Sequence, residues 1–150
     1  MSTYKQPMNI ALRNSARKSV FLAGSIEMGV AENWQDRVGQ YFHDLGYDIF
    51  NPRREEWDSS WEQKFENPQF YQQVNWELNA LENAYLIIMY FDPSTKSPIS
   101  LLELGLFARS GKLRVVCPDG FWRKGNVEIT CNYYKIPLYD NLETLFLDLS

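Results

Sequence analysis

The 150-residue sequence contains one histidine and two cysteines, so it offers few ligands for a metal ion. His43, Cys117 and Cys131 are widely separated and lack the close spacing of zinc ligands. The sequence also carries no redox-cofactor motif, and we expect neither a metal site nor a cofactor. Two cysteines without a recognisable secretion signal are typical of a reducing compartment, and we therefore expect a cytoplasmic protein.

Long apolar runs and basic clusters are also missing. The longest apolar run, residues 84–91, is far shorter than the roughly 20 residues that cross a bilayer. The 15 basic residues are scattered and the net charge is −4, so we expect neither a membrane nor a nucleic acid polymer as partner. Apolar residues make up 45% of the chain, which indicates a folded protein with a core.

Periodicity divides the chain into a leader and one domain. Residues 1–16 show no periodicity and are predicted to be a loose N-terminal leader, whereas 17–150 are predicted to form one domain. Predicted strands cover 18–24, 47–50, 85–91, 113–117 and 136–139, and predicted helices begin near Asn33, Asn67, Pro98 and Asn141. The segments 53–66 and 118–134 are predicted to be long loops.

The predicted strands are apolar throughout and alternate with helices, which is typical of a parallel sheet with both faces covered. The sequence therefore predicts an α/β fold. Its expected form is a single-domain flavodoxin-like or Rossmann-like three-layer sandwich, with a mainly parallel five-stranded sheet and helices on both faces. Ligands of such folds bind beyond the carboxyl ends of the strands. Four segments of this chain are expected at that edge: 24–27, 51–54, 92–97 and 117–126.

Glu103 is the only charge between Lys96 and Arg109, in a helix that is otherwise apolar on every side. A helix that is apolar all round is usually buried. Burying an unpaired carboxylate costs several kcal/mol, so Glu103 is expected to have partners, a function, or both.

Glu77 is a second carboxylate on an apolar helix face. That face is predicted to consist of Phe70, Val74, Leu78 and Leu81. Two carboxylates in one cleft are the usual equipment for cleaving a glycosidic bond. Alternatively, Glu77 and Glu103 each cap a loop or pair with an arginine such as Arg109. The pattern alone leaves both interpretations open.

Four segments of the sequence resemble one protein family. They are Val20-Phe21-Leu22-Ala23-Gly24-Ser25-Ile26, Glu77-Leu78-Asn79-Ala80-Leu81, Ser97 followed six residues later by Glu103-Leu104-Gly105, and Gly125-Asn126-Val127. Their order and spacing are similar to those of the nucleoside 2-deoxyribosyltransferase-like proteins, which include the deoxynucleoside 5′-monophosphate N-hydrolases. The resemblance extends from about residue 18 to residue 130.

The resemblance implies a retaining double displacement without a cofactor. Glu103 would attack C1′ of a nucleoside, and Glu77 would handle the proton of the base. Asn126 would reach the 5′ region from a neighbouring subunit, which implies a homo-oligomer with shared active sites. The implied small-molecule partners are a nucleoside or nucleotide and a free nucleobase. The implied substrate-binding residues are Phe21, Gly24, Ser25, Asp92, Ser97 and Asn126.

Three positions depart from the family pattern. Phe21 stands where tyrosine is frequent, and we expect a looser grip on the 2′ position, so that ribose substrates are tolerated. Glu27 stands where phosphate-recognising relatives have arginine, which favours free nucleosides over nucleotides. Glu77 is one methylene longer than the family's aspartate. Two alternatives therefore accompany the transferase: a nucleoside 5′-monophosphate N-glycosidase, and a non-catalytic nucleotide-binding or sensing module.

Overall fold

The computed structural model describes residues 3–5, 16–26, 33–53 and 62–150. Glu27 and most of the predicted loop 53–66 lie outside the described residues. The chain divides into two compact units, one from residues 1–22 and 35–85 and the other from residues 23–34 and 86–150. Within the described ranges, no helix is long and apolar enough to cross a membrane.

The first unit contains three paired parallel strands and two helices. Its strands are β1 (Thr3–Tyr4), the start of β2 (Ser19–Gly24) and β3 (Asp48–Phe50), and its helices are α1 (Trp34–Asp44, except Trp34 itself) and α2 (Pro68–Asn83). β3 pairs in parallel with both other strands, with Val20 opposite Ile49. Every residue of β3 is buried, including Asp48, whose carboxylate lies 3.7 Å from the guanidinium of Arg17.

The second unit continues the same alternation of strands and helices. It contains β4 (Leu86–Tyr90), α3 (Pro98–Phe107), β5 (Leu113–Val116), α4 (Lys124–Tyr134), β6 (Leu138–Tyr139) and α5 (Leu142–Leu149). β5 pairs in parallel with β4 and β6, with Met89 opposite Val115. All five residues of β4 are buried, as its unbroken apolar sequence predicts.

The predicted α/β class is confirmed. The fold is a Rossmann-like α/β sandwich, and the described residues form a mainly parallel six-stranded sheet with five helices. The predicted count of five strands is wrong by one, since β1 lies in the segment predicted to be a loose leader. β1 has two residues, too few to give a periodic signal, and its strand character comes from pairing with β3.

The predicted helix starts near Asn67 and Asn141 are both confirmed. The side-chain oxygen of Asn67 accepts hydrogen bonds from the backbone N–H groups of Gln69 and Phe70, at 3.0 and 3.1 Å, and Pro68 opens α2. Asn141 caps α5 in the same way, accepting from the N–H of Thr144 at 2.8 Å. These side chains satisfy amide groups that a helix leaves without partners in its first turn.

The predicted loop 118–134 is wrong in its second half, because residues 124–134 form α4. Gly125-Asn126 resembles a turn but lies in the first turn of this helix. Val127 and Cys131, one helical turn apart, are both buried and hold the helix in place. Two apolar positions gave too weak a periodic signal in a segment that also contains glycine and asparagine.

The predicted apolar faces of α2 and α3 also need correction. On α2 the buried residues are Trp76, Ala80 and Leu81, while Leu78 is 39% exposed. The buried face of α2 therefore includes Trp76 and Ala80 and excludes Leu78. On α3, which was predicted to be buried all round, the outer positions are exposed: Ile99, Leu102 and Leu106.

Candidate functional site

The turn after β2 is shaped by a close approach of two backbones. Gly24 has φ of +129°, and a Cβ atom there would lie 2.2 Å from the carbonyl oxygen of Tyr90. The next residue, Ser25, donates its N–H to that same carbonyl at 2.9 Å. Position 24 therefore requires glycine, and the contact fixes where the side chain of Ser25 begins.

Three buried hydroxyl groups meet at this point, and we call them the hydroxyl cluster: Ser25, Thr95 and Ser97. The oxygen of Ser25 lies 3.0 Å from that of Thr95 and 2.5 Å from that of Ser97, and the last two are 2.8 Å apart. Each of the three residues is at most 4% exposed. Segments about 70 residues apart in sequence thus meet through close contacts between hydroxyl groups.

Asp92 organises the turn between β4 and α3. Its N–H donates to the hydroxyl of Ser25 at 2.8 Å, and its carbonyl oxygen accepts from the hydroxyl of Thr95 at 2.9 Å. Its carboxylate accepts from both the N–H and the hydroxyl of Ser94, at 2.8 and 2.6 Å. Asp92 is therefore a turn-forming residue whose backbone is bonded directly to the hydroxyl cluster.

Ser97 begins α3 in an unusual conformation. Its backbone has φ of +46° and ψ of +54°, the left-handed region, which costs a residue other than glycine about 1–2 kcal/mol. Ser97 makes no side-chain cap to the helix, and its hydroxyl belongs to the hydroxyl cluster instead. Pro98, with its fixed φ, then starts the helix.

Glu103 lies on the inner face of α3. It is 7% exposed and shares this face with Ser100, Leu104 and Phe107. The prediction that Glu103 is buried is confirmed, although the same helix leaves a row of apolar residues in solvent. The carboxylate thus follows the hydroxyl cluster by fewer than two helical turns in the same rigid element.

Glu77 is half-buried on α2, in the first unit. Burial raises its pKa from 4.5 to about 7, and a hydrogen bond from the amide of Gln73 at 3.4 Å lowers it only in part. A carboxyl group with this pKa exchanges a proton readily near neutral pH, which suits general acid or base chemistry.

The remaining predicted site residues have plain structural positions. Phe21 lies in β2 and is 1% exposed, as a core residue would be. Asn126 is exposed in the first turn of α4. The structure thus brings together Gly24, Ser25, Asp92 and Ser97 within the second unit. It adds Thr95, which the sequence argument did not single out, although Thr95 stands in the turn that contains Asp92 and Ser97.

The exposed ring of Trp122 lies close to two cations. Its indole N–H donates to the carbonyl oxygen of Lys96 at 2.9 Å. The ammonium of Lys96 is 5.2 Å from the ring centroid and the guanidinium of Arg123 is 4.7 Å from it. Two positive charges and an aromatic ring therefore lie next to Ser97, since Lys96 precedes Ser97 in the chain.

The two cysteines are buried and are not joined by a disulfide. Burial raises the pKa of Cys117 to about 12 and that of Cys131 to about 11, so both thiols are protonated at neutral pH. In the part of the chain that the structure describes, no group of three or more histidine, cysteine, aspartate or glutamate side chains is arranged to hold a metal ion.

Comparison with known proteins identifies the family. A family model described as nucleoside 2-deoxyribosyltransferase like matches residues 17–121, which is more than half of the chain. The matched region contains Glu77, the hydroxyl cluster and Glu103, and it ends before Asn126. A search of curated proteins gives no match. The chain therefore belongs to the nucleoside 2-deoxyribosyltransferase-like family.

Proposed function

We propose that this protein cleaves or transfers the N-glycosidic bond of nucleosides or deoxynucleosides by a retaining mechanism, with Glu103 as the nucleophile. The observation that carries the proposal is the position of Glu103. It is a buried carboxylate on the inner face of α3 and the only charged side chain of that helix, in the region that matches the family model. A group that is costly to bury is kept where a charged nucleophile serves a function.

The proposed reaction has two steps. The carboxylate of Glu103 attacks C1′, the C1′–N bond breaks, and the base leaves with the electron pair and takes up a proton. A second base, or water, then attacks C1′ of the glycosyl ester and restores the free carboxylate. We assign the proton transfer to Glu77, and its pKa of about 7 supports this role.

The proposed binding residues are those predicted from the sequence. Gly24, Ser25, Asp92 and Ser97 belong to the second unit and follow β2 and β4, as expected for a ligand site in a parallel sheet. Because the hydroxyl of Ser97 is bonded to Ser25, we assign the 5′ end of the sugar to the turn as a whole. Asn126 is proposed to act in a neighbouring subunit's site, and its exposure on α4 is compatible with that role.

The test is product analysis with a panel of nucleosides and nucleotides, each with and without a second base. Wild type should release free base or form the exchanged nucleoside, and Glu103→Gln should lose at least about 10³-fold in kcat. Glu82→Gln, an exposed carboxylate on α2, is the control and should keep full activity. Mass spectrometry should find the glycosyl ester on Glu103. A Glu103→Gln variant with wild-type rates would refute the assignment.

A nucleotide N-hydrolase is the second candidate, and one observation favours it. Lys96 and Arg123 place two cations at the exposed ring of Trp122, beside the turn assigned to the 5′ end of the sugar. Lys96→Met should then raise KM for a 5′-monophosphate about tenfold and leave KM for the matching nucleoside unchanged. Lys135→Met, an exposed lysine at the end of α4, is the control. An inert wild type that still binds nucleotides would point to the non-catalytic module.

A further inference from the structure

We propose that Thr95 is a positioning residue for Glu103, acting through the backbone conformation of Ser97. The proposal rests on the proposed function of Glu103. It concerns a residue that neither the sequence pattern nor the family resemblance singled out. Thr95, Ser97 and Glu103 all lie in the second unit.

Thr95 is the branch point of the hydroxyl cluster. Its hydroxyl donates its single proton to the carbonyl oxygen of Asp92, at 2.9 Å. Its oxygen also lies 3.0 Å from the hydroxyl of Ser25 and 2.8 Å from that of Ser97. Thr95 therefore contacts three segments at once: Ser25 in the turn after β2, the carbonyl of Asp92 after β4, and Ser97 immediately before α3.

Ser97 needs this support because its left-handed backbone is unfavourable for a residue with a side chain. Such conformations persist where surrounding contacts fix them, and they are concentrated at functional sites. The hydroxyl of Ser97 is held by Thr95 and Ser25, and the backbone carbonyl of Ser97 accepts the N–H of Leu101 at 3.1 Å. The cluster thus fixes the residue from which α3 starts.

Any change at Ser97 is transmitted to Glu103 because α3 is one continuous helix from Pro98 to Phe107. Glu103 lies six residues after Ser97, about 9 Å along the helix axis. A small rotation at the start of the helix moves the carboxylate relative to the atom that it attacks. A misplacement of about 1 Å is enough to cost up to about 100-fold in rate.

The test compares Thr95→Val, which keeps the shape but removes the hydroxyl, with Thr95→Ser, which keeps the hydroxyl. We expect kcat to fall at least about 10-fold in Thr95→Val while KM changes less than about 3-fold, and Thr95→Ser to recover wild-type kcat. Thr144→Val is the matched control, because it removes a hydroxyl bonded to Asn141 at 2.7 Å at the start of α5. An unchanged kcat in Thr95→Val would overturn the proposal.

A second readout does not depend on activity. The ¹³C chemical shift of the Glu103 carboxyl carbon should change in Thr95→Val and return in Thr95→Ser, as positioning through the hydroxyl requires. If wild type is inert on the whole substrate panel, the proposed function fails, and the ¹³C shift of Glu103 alone tests whether Thr95 positions that carboxyl. An unchanged ¹³C shift in folded Thr95→Val refutes the positioning role of Thr95. Thr95→Ala replaces Thr95→Val in both measurements if the valine variant does not fold.

Discussion

The raised pKa of Glu77 predicts that the stability of this protein falls as the pH rises through the neutral range. The pKa is about 7 in the folded state against an ordinary value of 4.5. Between these values the folded chain holds the proton and the unfolded chain has lost it, so unfolding releases a proton. The free energy of unfolding therefore decreases from about pH 4.5 to about pH 7 and stays low above it.

The size of the effect follows from the same two values. By linkage the two pKa values correspond to about 3–4 kcal/mol. We expect about 2–3 kcal/mol, because water still reaches a half-buried carboxyl. Glu77→Gln removes the titration and keeps a neutral group of similar size. We expect the variant and wild type to have nearly equal stability at pH 4.5, and the variant to be more stable by about 2–3 kcal/mol at pH 8.

The assay is urea unfolding followed by circular dichroism at half-unit intervals from pH 4.5 to 8.5. Glu82→Gln, on the exposed side of α2, is the control for removal of one carboxylate from the same helix. A difference between Glu77→Gln and wild type that does not grow with pH would refute the explanation by burial. The same variant also tests catalysis, because the basic limb of the rate profile should disappear if Glu77 donates the proton.

Three further predictions concern backbone, sugar preference and assembly. Gly24→Ala should lower the free energy of unfolding in urea by more than about 3 kcal/mol, because the new Cβ would lie 2.2 Å from a carbonyl oxygen. Gly125→Ala is the control: its Cβ enters open space, and the variant should be neutral or stabilising. Phe21→Tyr should raise the ratio of kcat/KM for deoxy over ribo substrates, and an unchanged ratio contradicts the assignment. We expect the exposed apolar row Ile99, Leu102 and Leu106 of α3 to form the subunit contact of the proposed homo-oligomer. Leu102→Gln should therefore reduce the mass measured by light scattering, unlike Leu147→Gln on α5.

The elements that were predicted well carry strong local signals. β4 is a run of apolar residues that is buried throughout, and the Asn67-Pro68 pair opens α2 with both of its signals in place. The elements that were missed lack such signals. β1 has two residues and gains its structure by pairing with β3, and α4 begins at a Gly-Asn pair that is typical of a turn.

The sequence predicts the burial of Glu103 but not the contacts of the turn residues Ser25, Thr95 and Ser97. The burial of Glu103 follows from its place among apolar residues on α3. The link from Ser25 to Ser97 spans 72 residues, and no local pattern encodes a contact of that range. Thr95 was missed for the same reason, since a threonine in a polar turn is ordinary until its three oxygen neighbours are placed around it.

The buried thiols have a practical consequence for labelling. Cys117 and Cys131 are the only cysteines in the sequence, both are at most 1% exposed, and both stay protonated at neutral pH. Thiol reagents should therefore leave the native protein unmodified. A cysteine introduced at exposed Asn126 would then be the single reactive group on the folded chain. A spin label attached there would test the proposed homo-oligomer, because a label-to-label distance is measurable only when two labelled chains associate, and no native cysteine has to be removed first.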